Sequence, residues 1–263
     1  MGPSMEAPAA IIYRRSFEAS ALEKWQSTAR EQKGPIGDHN NLVFICEGSD
    51  QLMVVELFLK PSKTSPSMLR PRRSKVPCLQ WELFAPSQSL EAVVFGSGRY
   101  NEGGSTFSGV DLGWNASDWS LTEDSDPLFV VASYSAPRSE LPRLRDIGRR
   151  HYERIREKER RGSLHYQWSF SHGEDGEILF TATELYRDFR GFDDHLKICE
   201  DLFSECDGSR SLLGVDVHGS AEALEKCKVF ESSFAPAPLR LFRTSCFGAG
   251  PILEPSSPTH SKL

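Results

Sequence analysis

Along residues 178–203 the hydrophobic period of the chain changes. Phe180, Ala182, Glu184 and Tyr186 alternate with Leu179, Thr181, Thr183 and Leu185, the period of two that predicts a strand. After a turn at Arg187-Asp188, Phe192, His195, Leu196, Cys199, Leu202 and Phe203 fall on one stripe at helical spacing. That stripe predicts a continuous helix over residues 191–203. The strand ends on a carboxylate, Glu184, and the helix carries a histidine, His195, on its apolar side.

Alternating runs predict further strands at residues 11–17, 42–47, 52–58, 79–84, 110–112, 128–134, 164–170, 212–217 and 239–243. Helices are predicted after Ser20, where Glu23 completes a capping-box pattern, and over residues 87–94, 138–161 and 221–230. Pro61, Pro66, Pro71 and Pro77 exclude a long helix from residues 60–77, so an irregular loop is expected there. Residues 114–127 are polar and acidic and read as a linker, with Trp114, Asn115 and Trp119 available to pack or to lid a cavity. Residues 246–263 read as a disordered tail.

The order of elements starts again after that linker. Residues 53–58 (MVVELF) match residues 181–186 (TATELY), pairing Glu56 with Glu184 and Phe58 with Tyr186. The stretch from Trp81 matches the stretch from Val215, pairing Glu82 with Asp216 and Leu90 with Leu224. A repeat this long indicates a duplicated domain, over residues 10–113 and 128–245. Each copy reads β-α-β-β-α-β, a ferredoxin-like order whose antiparallel sheet has helices on one face only. The expected fold is therefore α+β, with two ferredoxin-like units packed sheet to sheet as an intramolecular dimeric α+β barrel. Further pairing of two such chains is left open. In the first copy the proline-rich stretch takes the place of the His195 helix.

Composition narrows the function classes. In 263 residues, 38% hydrophobic and 26% charged describe a chain with material for a real core. A formal charge of −6 argues against a general binder of nucleic acid or anionic membrane. No apolar run approaches a bilayer-spanning length, and the first residues show no secretory pattern, so a cytoplasmic protein is expected. The six cysteines form no C-x-x-C pair and no zinc-finger spacing, so reduced, mostly buried thiols and no metal are expected. The basic run 143–161 reads as a solvated helix face.

Glu184-Leu185-Tyr186, Phe192 and His195 resemble the antibiotic biosynthesis monooxygenase superfamily of dimeric α+β barrels. The family pattern is a strand ending Glu-x-Tyr or Glu-x-Trp, then an aromatic or apolar residue and a His three positions on. Gly162-Ser163-Leu164-His165-Tyr166 is similar to the family's Gly-Cys-Leu-x-Tyr stretch. Where many members carry a second His, this chain has Glu200. The resemblance implies a monooxygenase acting on an aromatic or quinol-like small molecule, without a tightly bound organic cofactor. In that reading His195 is the catalytic base and Glu184 orients it, while Tyr186, Trp168, Tyr166 and Phe192 shape the substrate pocket. The alternatives are a non-catalytic binding or assembly module of the same fold and, as a weaker third, a haem protein with His195 as axial ligand. The bland readings stand beside these: His195 holding its helix down, Glu184 in an ion pair such as one with Arg187, and Tyr166, Trp168 and Tyr186 as core. His165 lies on the other strand face and is read as a satisfied or exposed histidine.

Overall fold

In β6 (Leu128–Pro137), Leu128, Val130, Ala132, Tyr134 and Ala136 join one core cluster with the helix residues Leu144, Ile147, Ile155, Phe192 and Leu202. Phe129 and Val131, which point to the opposite side, are buried as well. A strand buried on both faces needs cover on both. Helices cover one side, and closure of the sheet into a barrel covers the other.

The computed structural model describes residues 11–18, 41–47, 51–58, 80–86, 104–115, 121, 125–158, 162–172 and 176–249. Five strands come from the first half: β1 (Ile11–Glu18), β2 (Asn41–Glu47), β3 (Gln51–Phe58), β4 (Gln80–Pro86) and β5 (Gly104–Asn115). The second half contributes β6, β7 (Ser163–His172), β8 (Glu177–Tyr186), β9 (Ser211–Gly219) and β10 (Leu239–Ala249). Its helices are α1 (Leu141–Lys158), α2 (Phe189–Ile198), α3 (Glu200–Cys206), α4 (Ala221–Cys227) and α5 (Glu231–Phe234). No helix among the described residues is long and apolar enough to cross a membrane.

The strands close in the order β1-β3-β2-β10-β9-β6-β8-β7-β5-β4. Within the second half, β9-β6-β8-β7 is the ferredoxin-like arrangement, and within the first half β4-β1-β3-β2 repeats it. The last strand of each half joins the halves. β5 runs parallel to β4 and antiparallel to β7, while β10 runs parallel to β9 and antiparallel to β2. Glu56 faces Tyr13 and Glu82 faces Arg14; Glu184 faces Val130 and Asp216 faces Val131.

Several elements differ from the pattern-based expectation. β5 and β10 are much longer than residues 110–112 and 239–243, because each pairs with strands of both halves. Trp114 and Asn115 therefore end β5, opposite Tyr166 and His165, and are not part of a linker. Likewise residues 246–249 belong to β10 and not to a tail.

The expected single helix over residues 191–203 is two helices, broken at Cys199 (φ −104°, ψ 7°). Its cause lies in α1. Arg154 Nη1 donates to the Ile198 carbonyl at 3.0 Å, taking the acceptor that a continuing helix would offer to Leu202. The basic run is correspondingly less solvated than expected. Arg150 forms a two-pronged pair with Glu205, Arg143 donates to the Glu205 carbonyl, and Arg154 also binds Asp201. Only part of the run, such as Arg149 with Asp146 and Glu153, stays on an exposed face. The proline-rich stretch, the two helices expected in the first half and the chain beyond Ala249 lie outside the described residues.

Candidate functional site

The site is built where β8 hands over to α2. At the end of β8, Glu184 and Tyr186 both point to the helix side, and the Tyr186 hydroxyl donates to Glu184 Oε2 at 2.6 Å. Asp188 then caps α2, accepting from the Gly191 N–H at 3.0 Å. The first turn of α2 lies directly on the start of β7. A Cβ on Gly191 would stand 2.7 Å from the Gly162 carbonyl oxygen, and one on Gly162 would stand 2.7 Å from Gly191 Cα. Only two glycines allow this approach. It turns Phe192 and His195 inward, where both are buried.

His195 sits among rings. Tyr166 lies 5.4 Å away between centroids, Tyr186 5.6 Å, Phe203 5.7 Å and His151 6.2 Å. Its Nδ1 is 3.9 Å from Cys199 Sγ, one turn further along. Tyr166 accepts a hydrogen bond from Trp168 Nε1 at 2.6 Å, and its oxygen is 3.3 Å from His151 Nδ1. His151 descends from α1, fully buried, with its ring parallel to Tyr166. Burial, and then the neighbouring His195, push the His151 pKa well below the usual histidine value. Burial foremost raises the Tyr166 hydroxyl well above the usual phenol value, so the ring pair is neutral at physiological pH.

Beside this cluster lies a cavity of about 480 Å³, within the range of small-molecule sites. Its wall includes Glu184, Phe192 and His195 together with Tyr134 and Arg210. The Arg210 guanidinium stacks 4.1 Å over the Tyr134 ring, and its Nη1 is buried with no hydrogen-bond partner among the described residues. Burial raises the Tyr134 pKa, Arg210 pulls it part of the way back and Glu184 pushes it up again. Tyr134 therefore stays a hydroxyl donor.

Of the six residues singled out by sequence, three share the cavity wall: Glu184, Phe192 and His195. Tyr166, Trp168 and Tyr186 do not line it. They form the packed layer behind, where Tyr166 supports His195 and Tyr186 holds Glu184. Sequence reasoning missed His151 and Arg210. His151 had a readable signal, since it falls on the same helical stripe as Leu144, Ile147 and Ile155. Arg210 had none, because it lies in a short connection between α3 and β9.

No protein-family model matches the chain, and no curated protein sequence does either. Among solved structures, the chain is similar to MupZ from Pseudomonas fluorescens, with 20% identity and a TM-score of 0.40 over 48% of this chain and 97% of that one. It is similar to a protein from Lactobacillus acidophilus NCFM assigned only provisionally as a monooxygenase, with 9% identity and a TM-score of 0.47 over 80% and 91%. A ferredoxin-fold protein from Listeria monocytogenes, related to antibiotic biosynthesis monooxygenases, matches at 8% identity and a TM-score of 0.40 over 79% and 92%. Likenesses this distant carry no statement about activity. The α+β barrel rests on the strand pairings themselves.

Proposed function

We propose that this chain is an enzyme that binds a phenolic or quinol-type small molecule in the 480 Å³ cavity and oxidises it with molecular oxygen. The observation that carries this reading is the joint presence on one cavity wall of His195, Glu184 and Arg210, whose buried Nη1 has no hydrogen-bond partner among the described residues. A neutral substrate enters the cavity, whose apolar part is formed by residues that include Phe192, Phe230 and Phe234. His195 takes the hydroxyl proton, with Glu184 as the carboxylate that stabilises the imidazolium. Arg210 and the Tyr134 hydroxyl hold the resulting phenolate. The electron-rich anion reduces oxygen at a ring C–H carbon; one oxygen atom stays there as a carbonyl, and the other leaves as water with that carbon's hydrogen and the proton that His195 took. Substrate supplies all the electrons, so no organic cofactor is required by the balance.

Haem, the weaker expectation from the family resemblance, fits the wall poorly. Its two propionates are permanent anions that would meet four carboxylates, Glu184, Asp193, Glu200 and Asp207, against Lys197 and Arg210. A phenolate carries one charge, which Arg210 alone balances.

The test is oxygen consumption on a panel of hydroquinones and anthrone-like phenols, paired with calorimetric binding. His195→Ala and His195→Gln are expected to lower turnover roughly 10²–10⁴-fold, as for loss of a general base, while binding persists. Ligand binding without turnover in the parent protein identifies a binding module instead. Full turnover in His195→Ala removes His195 from the reaction.

A further inference from the structure

The geometry points to a metal site of the zinc class, formed by His151 Nε2, His195 Nδ1 and Cys199 Sγ. It stands on the packing of these three residues alone and not on the oxidation reading. One ring nitrogen of each histidine and the Cys199 sulfur lie within 4.8 Å of one another, and all three side chains are buried. His195 and Cys199 are adjacent on one helical face, with Nδ1 and Sγ already 3.9 Å apart. Zinc binds imidazole nitrogen at about 2.0–2.1 Å and thiolate sulfur at about 2.3 Å, so donors on one tetrahedral ion stand about 3.3–3.6 Å apart. Closing the triangle asks each side chain to move inward by less than about one ångström.

His151 supplies the second observation. Its Nδ1 is turned to the Tyr166 hydroxyl, and the remaining ring nitrogen, Nε2, is buried with no hydrogen-bond partner among the described residues. An unsatisfied buried nitrogen costs stability, and a metal ion would satisfy it. Ligating histidines as a rule engage their other nitrogen with an outer partner that fixes the ring. Tyr166, itself held by Trp168 Nε1 at 2.6 Å, is placed to do this. The arginine contacts from α1 to α2 and α3 keep His151 opposite the α2 residues.

Two imidazoles and a thiolate suit zinc over magnesium or calcium, which take oxygen donors. Three protein ligands leave one position for water or a small ligand. Binding releases the Cys199 thiol proton, so affinity rises with pH. A metal on Nδ1 of His195 also fixes that ring's proton on Nε2. The loaded protein then has no base at this position, and loading excludes the proton transfer proposed above.

The test uses the full chain, stripped with chelator and titrated with Zn²⁺ and with Co²⁺ as a spectroscopic stand-in. One ion per chain is expected, with a thiolate-to-cobalt charge-transfer band in the near ultraviolet and ligand-field bands of tetrahedral strength. Cys199→Ala should abolish the charge-transfer band, and His151→Gln should lower occupancy. Tyr166→Phe should weaken binding roughly 10–100-fold, as for loss of an outer partner. Cys227→Ala, at a buried free cysteine outside the cluster, should change nothing. Far-UV circular dichroism establishes that each variant is folded. Failure of the folded parent chain to retain a stoichiometric ion overturns the site, as does a cobalt spectrum without a thiolate band, or one that survives in Cys199→Ala. Because these readouts involve no turnover, they are independent of whether the oxidation reading holds.

Discussion

Arg210 is the side chain whose chemistry is least explained by the fold alone. It covers Tyr134 and brings to the cavity wall a buried Nη1 that has no partner among the described residues, where a structural arginine would pair with a carboxylate. Replacing it with Met keeps most of the volume and removes the charge. A charged hydrogen bond is worth about 1.5–3 kcal/mol, so Arg210→Met should weaken a phenolate or carboxylate ligand roughly 10–100-fold by titration calorimetry. A neutral analogue should be barely affected, and equal loss for both ligands would mean that Arg210 only shapes the wall.

His165 supports a different prediction. Burial pushes its pKa down to about 3, against about 6.5 in an unfolded chain. Folding therefore favours the neutral ring. Its contribution is complete above pH ~6.5 and is lost as pH falls towards ~3, by up to about 1.4 kcal/mol per pH unit. Urea midpoints should fall across that window, and His165→Gln should flatten the slope; a parental midpoint indifferent to pH there would contradict this. These two residues also mark what a linear reading can reach. His195 and Glu184 were visible because strand and helix periods put them on inward faces. Arg210 was not, since a cavity assembled from β6, β8, β9 and three helices has no one-dimensional signature.

The seam between α2 and β7 decides whether those side chains meet at all. Gly162 and Gly191 touch backbone to backbone, and no rotamer can relieve a Cβ aimed at a carbonyl oxygen 2.7 Å away. Gly191→Ala, although favourable for an isolated helix, should therefore destabilise the chain by roughly 1–3 kcal/mol, as overpacking does. It should also displace His195, visible as lost ligand binding before any loss of helix signal. A neutral or stabilising effect in thermal melts would show that the seam gives way. Strand positions along β6 to β9 were legible because each strand is buried on at least one face at period two. The break at Cys199 was not, because its cause is the Arg154 hydrogen bond from a distant helix, and the apolar stripe continues unbroken through it.

Joined as a whole, the two halves are linked by more than the chain. β5 leaves its own sheet edge to pair with β7, and β10 does the reciprocal with β2, so two antiparallel seams close the ring. That exchange accounts for the underestimated lengths of β5 and β10: half of what stabilises each strand lies in the other half of the molecule, beyond the reach of local propensity. It also leads to a test with the intact protein. A specific protease site placed between Asn115 and Leu121 severs the covalent connection while leaving all ten strands present. Opening the barrel would uncover Phe129, Val131, Leu185 and the other residues buried on the inner side of the second half, together with the unpaired edges of β7 and β2. The cut fragments should therefore stay together through size-exclusion chromatography at the elution volume of the uncut chain. They should separate only in denaturant, and fail to stay soluble when one is isolated. Fragments that part spontaneously into two soluble monomers would mean that the seams are marginal and that each half completes its own sheet.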